Sequence, residues 1–109
     1  MPHDRPTIST HVLDTGTGRP AAGIQVRCLR LDEDAVKAAG EGTTDGDGRI
    51  PDLLDGQQLV AGLYRLSFDL GGGRFFEKVT LEVRVDDASR RYHVPLLVAP
   101  FGVSSYRGS

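Results

Sequence analysis

Lys78–Val85, with the sequence KVTLEVRV, gives the clearest indication of the fold class of this chain. Its apolar residues occupy every second position and alternate with polar or charged ones, which is the period of a β-strand with one buried and one solvated face. The stretch Tyr64–Leu70, YRLSFDL, alternates in the same way. Three further segments have strand-like patterns: Ile8–Leu13, Ile24–Cys28 and Tyr92–Val98. Five such strands predict an all-β protein.

The segments between these strands favour an antiparallel sandwich. They contain clusters of glycine and aspartate that are typical of tight turns: Asp14–Gly18, Asp45–Gly48, Gly71–Gly73 and Asp86–Ser89. Short strands joined by such turns predict an antiparallel β-sandwich of roughly seven or eight strands. The one helical candidate is Asp32–Ala39, which is short enough to be no more than a loop turn. A sandwich leaves edge strands exposed, and pairing with a symmetry mate covers them, so we expect a homo-oligomer.

A chain of 109 residues is long enough for one domain with a single core. We divide it into a flexible lead-in at residues 1–6 and a sandwich domain at residues 7–109. The net charge is −2 with both signs interspersed, which argues against a nucleic-acid partner because no basic stripe is present. No apolar run approaches the ~20 residues of a membrane span, and residues 1–6 do not resemble a secretory signal. A cytoplasmic location without a membrane partner is expected.

Cys28 is the single cysteine and has no partner for an internal disulfide. Its neighbours Val26 and Leu29 indicate the interior of a strand. We therefore expect this thiol to pack in the core rather than to react.

Two histidines lie in strand-like segments, where the backbone fixes the direction of the side chain. His11 belongs to Ile8–Leu13 and His93 to Tyr92–Val98. A fixed imidazole suits a general acid or base. The simpler interpretation of either residue alone is a half-buried histidine with a structural hydrogen bond. His3 falls in the lead-in and receives no role.

Arg49 follows the turn Asp45–Gly48 and leads into a strand, as in a tight hairpin. Taken alone, it is more typical of a surface ion pair. The Asp-x-Asp spacing of the turn suggests a calcium loop, but Arg49 occupies a position where that loop needs an acidic or amide ligand. The calcium interpretation therefore fails.

The sequence offers neither a metal site nor an activated nucleophile. The histidines lack the spacing of a structural zinc site, and no Gly-x-Ser-x-Gly elbow is present. A metal would require His11 and His93 to meet beside a carboxylate. We expect no metal and no cofactor. Two imidazoles and a guanidinium instead suit water activation next to an anionic, carbonyl-rich substrate.

The chain closes on Tyr106-Arg107-Gly108-Ser109: an aromatic ring, a guanidinium, a glycine and a hydroxyl. Solvated tails are usually mixtures of residues such as Lys, Glu and Ser. This ending therefore indicates binding chemistry.

Several segments together resemble the motifs of the 5-hydroxyisourate hydrolases, the enzymatic relatives of transthyretin. They are Ser9–Asp14 with its continuation Gly18–Val26, then Thr44–Arg49, then Tyr92–Leu97 with Pro100–Gly102 and the terminal Tyr106–Ser109. These segments cover most of the chain and follow in the family's order.

The resemblance implies a transthyretin-like sandwich that assembles as a homotetramer, a dimer of dimers with sites in the channel between the dimers. It implies cofactor-free hydrolysis of 5-hydroxyisourate, the unstable product of urate oxidation, to 2-oxo-4-hydroxy-4-carboxy-5-ureidoimidazoline. By the same resemblance four residues are catalytic: His11, Arg49, His93 and Ser109. Three more line the substrate site: Tyr106, Arg107 and Gly108.

This chain departs from the family pattern after Asp69. The family usually carries a longer segment there, with a short helix, whereas this chain has only Leu70–Arg74 before Phe75. We expect the helix to be shortened or absent, at a place away from the motif residues.

Two other functions stay open at this point. Transthyretin carries a small ligand on this fold, so a non-enzymatic small-ligand binding protein is the main alternative. A carrier needs an apolar channel but has no use for His11, Arg49, His93 and a terminal hydroxyl together. A structural or adhesive sandwich domain fits a chain without a signal or linker poorly.

Overall fold

The computed structural model describes residues 5–108, which form nine strands and no helix, so no described segment could cross a membrane as a helix. The longer strands are β1 (Ile8–Asp14), β3 (Gln25–Leu31), β4 (Val36–Thr43), β6 (Gly62–Asp69), β7 (Lys78–Val85) and β8 (Tyr92–Val98). The short strands are β2 (Arg19–Pro20), β5 (Arg49–Ile50) and β9 (Val103–Ser105). The all-β prediction is confirmed, and each of the five sequence-predicted strands is present.

The strands form two sheets. The five-stranded sheet has the order β2–β1–β8–β9, and β5 also pairs with β1. The four-stranded sheet has the order β4–β3–β6–β7. The paired strands of both sheets are antiparallel except β1 and β8, which run parallel from Ile8 opposite Tyr92 to Asp14 opposite Val98. The predicted sandwich is confirmed, with this central parallel pair as the difference.

The core is built from alternate residues of the strands. Ile8 and Val12 of β1 are completely buried, as are Leu66 and Phe68 of β6. Fully burying a side chain of this kind contributes about 1.5–3 kcal/mol relative to leaving it exposed. Because successive side chains of a strand point to opposite sides, the intervening residues are carried to the outer surfaces of the sandwich.

Cys28 belongs to this core, as the sequence predicts. It lies in β3 and is completely buried. Burial raises the pKa of its thiol to about 12, so the sulfur stays protonated at neutral pH. The residue packs as a small apolar side chain.

The helical candidate Asp32–Ala39 is wrong. The Asp32 N–H donates to the Ala35 carbonyl oxygen at 2.8 Å and closes a turn, after which β4 pairs with β3 along its length. Alanine and lysine favour a helix locally. Pairing with β3 outweighs this preference because β-strand formation depends on cross-strand neighbours and burial more than on residue type.

A loop without a helix joins β6 to β7, at the place where we expect the helix to be shortened or absent. Gly71 and Gly73 adopt φ angles of 70° and 96°, in the region that glycine enters without strain. Arg74 ties the loop to β1 through an ion pair with Asp14 at 2.9 Å. The shortened segment is thus held in place without a helix, away from the centre of the five-stranded sheet.

The N-terminal end of the described chain is also anchored. Arg5, which the sequence assigns to the lead-in, forms an ion pair with Asp52 at 2.7 Å. Residues 1–4 of the predicted lead-in lie outside the described residues.

Candidate active site

The outward side of the five-stranded sheet, called the outer face below, carries both strand histidines. His11 follows the buried Thr10 in β1, and His93 precedes the buried Val94 in β8. Alternation therefore directs both imidazoles away from the core. Each residue is half-buried at the surface of this single protomer.

The strand register arranges this face in two rows that cross the sheet. In the first row, Arg49 of β5 lies opposite His11, which lies opposite Pro95 of β8. In the second row, Ser9 lies opposite His93. The rows are separated by two residues along β1, or about 6–7 Å. The structure thus brings His11, Arg49 and His93 onto one face although they come from three separate strands.

A tight turn delivers Arg49 to this face. The Asp45 carboxylate accepts hydrogen bonds from the N–H groups of Asp47 at 2.9 Å and Arg49 at 3.0 Å. Gly48 has a φ of 74°, and a Cβ at this position would lie 2.4 Å from the Val12 carbonyl oxygen, so only glycine fits. The predicted turn is present, but it carries the chain from one sheet to the other instead of closing a hairpin.

The electrostatic environment favours neutral His93. Its partial burial lowers the pKa of the imidazole below the ordinary value of 6.5. Electrostatic interactions with Arg49, and then with His11 and Arg91, lower it further. At neutral pH the ring is therefore uncharged and can accept a proton.

The terminal segment runs beside β8 and reaches His93. The Gly108 N–H donates to the His93 carbonyl oxygen at 2.8 Å. A Cβ at Gly108 would lie 2.7 Å from the His93 Cδ2, so the glycine backbone packs directly against the ring. Tyr106 is 59% exposed and is free to meet a ligand. The fourth predicted catalytic residue, Ser109, lies outside the described residues.

Arg107 occupies a different place from its neighbours in the terminal segment. Its guanidinium carbon lies 4.7 Å from the centroid of the Tyr92 ring, in a cation–π contact. Tyr92 is buried on the core side of β8, opposite in direction to His93. The Arg107 side chain therefore braces the terminal segment against β8 and stands apart from the two rows of the outer face.

Two neighbours of His93 were missed by the sequence analysis. The Ser9 Oγ lies 2.8 Å from the His93 Nδ1. The Arg91 guanidinium donates to the carbonyl oxygens of Arg5 and Pro51, each at 3.1 Å. Its positive charge also contributes to lowering the pKa of His93. Ser9 shares a strand face with His11, which is a recognisable signal, whereas its contact with His93 depends on the parallel register of β1 and β8.

A cleft lies over this part of the outer face. It has a volume of about 340 Å³ and is lined by Ser9, Thr10, Arg49, Pro51, Arg91 and His93. A volume of this size suits a small molecule. Two guanidinium groups favour an anionic or oxyanionic ligand, and the neutral imidazole offers a proton acceptor.

The donor set of the outer face does not favour a metal. Within residues 5–108, no three His, Cys, Asp or Glu side chains are grouped so that they could hold an ion. His11 and His93 would supply two nitrogen ligands, but their charged neighbours on this face are cations that repel a metal. The arrangement is suited to acid–base chemistry on an anion.

Comparisons with known proteins agree with this architecture. The model of the HIUase/Transthyretin family matches residues 8–108. A 5-hydroxyisourate hydrolase of Caulobacter vibrioides is 39% identical over 113 residues, covering 94% of this chain and 97% of the relative.

Solved structures of the same family also match this chain. The structure of Klebsiella pneumoniae 5-hydroxyisourate hydrolase matches with a TM-score of 0.79 and 34% identity, over 94% of this chain and 99% of that one. The crystal structure of transthyretin from Sparus aurata matches with a TM-score of 0.83 and 26% identity, over 95% and 97% of the two chains. The resemblance seen in the sequence motifs is confirmed, and the chain belongs to the HIUase/Transthyretin family.

Proposed function

We propose that this protein is a 5-hydroxyisourate hydrolase, which opens the ring of its substrate at a cyclic amide C–N bond to give 2-oxo-4-hydroxy-4-carboxy-5-ureidoimidazoline. The observation that carries the proposal is the arrangement of His11, Arg49 and His93 in adjacent rows of one sheet face. The hydrolases of this family that match the chain over nearly its full length support it.

The proposed reaction begins with a water molecule held over the outer face. Neutral His93 accepts a proton from this water, and the resulting hydroxide adds to the amide carbonyl carbon of the substrate. Arg49 stabilises the negative charge that develops on the carbonyl oxygen. The C–N bond then breaks, and the departing nitrogen takes up the proton from the His93 imidazolium, which restores the neutral ring. His11 lies beside Arg49 in the first row and is placed to share in this proton transfer.

The terminal segment completes the proposed site. Tyr106 offers a ring face to a planar heterocycle and a hydroxyl to its carbonyl edge. Gly108 permits the close approach of backbone to the His93 ring. We assign Ser109 to the catalytic set because its position follows Gly108 directly. Arg107 acts in this proposal by holding the segment through Tyr92 rather than by touching the substrate.

We further propose that the protein works as a cytoplasmic homotetramer. Arg49 and Tyr106 are exposed in one protomer. A second copy facing the outer face would exclude water from these groups and strengthen their interactions with the substrate. A dimer of dimers also needs a second kind of subunit contact. The edge strands β7 and β9 offer strand-pairing surfaces for it.

The alternative is a small-ligand binding protein without catalysis, which the similarity to a transthyretin favours. A carrier would use the cleft but would gain nothing from a neutral imidazole placed beside a guanidinium. The set of His11, Arg49 and His93 therefore favours the hydrolase.

The deciding experiment follows the ultraviolet decay of freshly generated 5-hydroxyisourate with and without the protein. We expect saturable acceleration over the spontaneous decay. Binding of the compound or its stable analogue without acceleration would support the carrier, and neither binding nor acceleration would reject both functions.

A further inference from the structure

Two residues, Ser9 and Gly108, contact the His93 ring at different edges. Ser9 is only 7% exposed, lies opposite His93 across β1 and β8, and places its Oγ 2.8 Å from the Nδ1. Gly108 packs against the Cδ2 edge of the same ring. Nδ1 and Cδ2 are the two ring atoms bonded to Cγ, so the remaining nitrogen, Nε2, lies at the far end of the ring from the backbone.

We infer that Ser9 is a positioning residue that accepts a hydrogen bond from the Nδ1–H of His93 and thereby leaves the lone pair of Nε2 available to a substrate water. This inference rests on the proposed function and adds a specific role for a residue that the family resemblance did not assign.

The direction of the hydrogen bond follows from what a base must do. A serine hydroxyl can donate to Nδ1 or accept from it, and each choice fixes one neutral tautomer of the ring. If Ser9 donates, Nε2 carries the proton and cannot take another. If Ser9 accepts, Nε2 is the acceptor, and the imidazolium formed after proton transfer keeps the same Nδ1–H to Ser9 bond. Only a hydroxyl that accepts from Nδ1–H keeps its hydrogen bond to the ring both before and after the proton transfer from water.

The choice of a hydroxyl instead of a carboxylate fits the charges around the ring. A carboxylate at Nδ1 would favour the imidazolium and raise the pKa of the ring. Ser9 orients the ring without adding a charge. Partial burial lowers the pKa of His93, and so do the titratable and charged groups that face it: Arg49 of β5, His11 of β1 and Arg91 beside β8. The base is thereby oriented and ready at neutral pH.

The test uses three variants. Ser9→Ala removes the hydroxyl, Ser9→Thr keeps one, and Ser67→Ala is the matched control. Ser67 lies on a strand of the other sheet and its hydroxyl contacts Thr80 at 3.3 Å. We expect kcat to fall about tenfold in Ser9→Ala, the size expected for one lost hydrogen bond, with little change in KM. Ser9→Thr should recover most of kcat, and Ser67→Ala should match the parent protein.

A second measurement is independent of turnover. The nitrogen-15 shifts of His93 report which ring nitrogen carries the proton, and they are recorded on the free protein. We expect the Nδ1–H form in the parent protein and in Ser9→Thr, and a shift toward the Nε2–H form in Ser9→Ala. If Ser9→Ala does not fold, Ser9→Cys keeps the shape while weakening the acceptor, and the same tautomer shift is expected.

An Nε2–H tautomer in the parent protein, or an unchanged tautomer with unchanged kcat in the folded Ser9 variant, would overturn the inference. These outcomes differ from failure of the proposed function, in which the parent protein does not accelerate decay of the substrate. The tautomer measurement still decides the role of Ser9 in that case.

Discussion

The two sheets use the same alternation of residues but present opposite kinds of outer surface. On the four-stranded sheet, charges are matched across neighbouring strands: Arg65 pairs with Glu82 at 2.9 Å, and Asp69 lies opposite Lys78. On the five-stranded sheet, the outer face gathers His11, Arg49 and a neighbouring Arg91 around His93, and each of these lowers the pKa of that ring.

The pairing of charges distinguishes a solvated face from a functional one. Exposed ion pairs between strands satisfy one another and contribute about 0–1 kcal/mol each, so the four-stranded face needs no ligand. The five-stranded face instead places the Arg49 guanidinium and a half-buried imidazole beside a cleft of about 340 Å³. An anionic ligand is the natural complement of the five-stranded face.

Removal of residues 106–109 should have the largest effect, because this segment runs beside β8 of the five-stranded sheet as far as Gly108. We expect turnover to fall about 10²-fold or more, since the deletion removes the Gly108 contact and frees the His93 ring to shift. The sandwich should persist because these residues contribute little to the core.

Particle size and turnover must be measured on the same truncated sample. A smaller assembly with parallel loss of turnover would mean that the segment seals a subunit contact. Normal assembly with undiminished turnover would remove the terminal segment from the mechanism.

Replacing one arginine on each sheet should have unequal effects on turnover. Arg49→Ala should lower kcat/KM about 10²–10³-fold, because it removes the group that we propose stabilises the developing oxyanion. Arg65→Ala, which breaks the Glu82 ion pair on the other sheet, should leave kcat/KM unchanged and cost at most about 1 kcal/mol in unfolding free energy. Steady-state kinetics and urea denaturation of both variants distinguish catalysis from folding, and equal kinetic losses would contradict the contrast between the sheets.

The sequence reveals the parts of this contrast that local pattern controls. The strict alternation of Lys78–Val85 predicts β7 and its two faces. Local pattern does not predict β4. Its Ala and Lys residues favour a helix, and the pairing with β3 makes it a strand.

The arrangement of the site is less accessible to sequence reasoning. Ser9 and His93 are 84 residues apart, and their contact exists because β1 and β8 are parallel neighbours in one particular register. The direction of Arg107 toward Tyr92 likewise depends on the register of the terminal segment. Residue types at motif positions predict which side chains matter, whereas their mutual geometry is a property of the assembled sheets.

The pH dependence should be specific to the five-stranded face. Because the pKa of folded His93 lies below that of the unfolded chain, about 6.5, the unfolded state binds more protons between the two values. The free energy of unfolding should therefore fall as the pH drops through this window, and kcat/KM should fall below the folded pKa. His93→Gln should flatten this part of the stability profile. Urea denaturation between pH 5 and 7.5 checks the sign, and a stability gain on acidification through the window in the parent protein alone would contradict it.

The smallest expected effect is that of a chelator, which should leave turnover unchanged. The outer face offers two imidazoles but surrounds them with guanidinium groups, and a divalent cation placed there would meet repulsion from Arg49 and Arg91. The proposed mechanism also needs no metal, because His93 would take the proton of water and Arg49 would stabilise the oxyanion. The measurement is the rate of 5-hydroxyisourate decay before and after exhaustive treatment with EDTA, with the chelator removed by dialysis. Loss of activity that returns on addition of one divalent ion would show that a metal binds at the outer face despite its positive charge. That result would overturn the contrast between the two sheets, because residues 5–108 of one protomer bring no three metal-ligating side chains together.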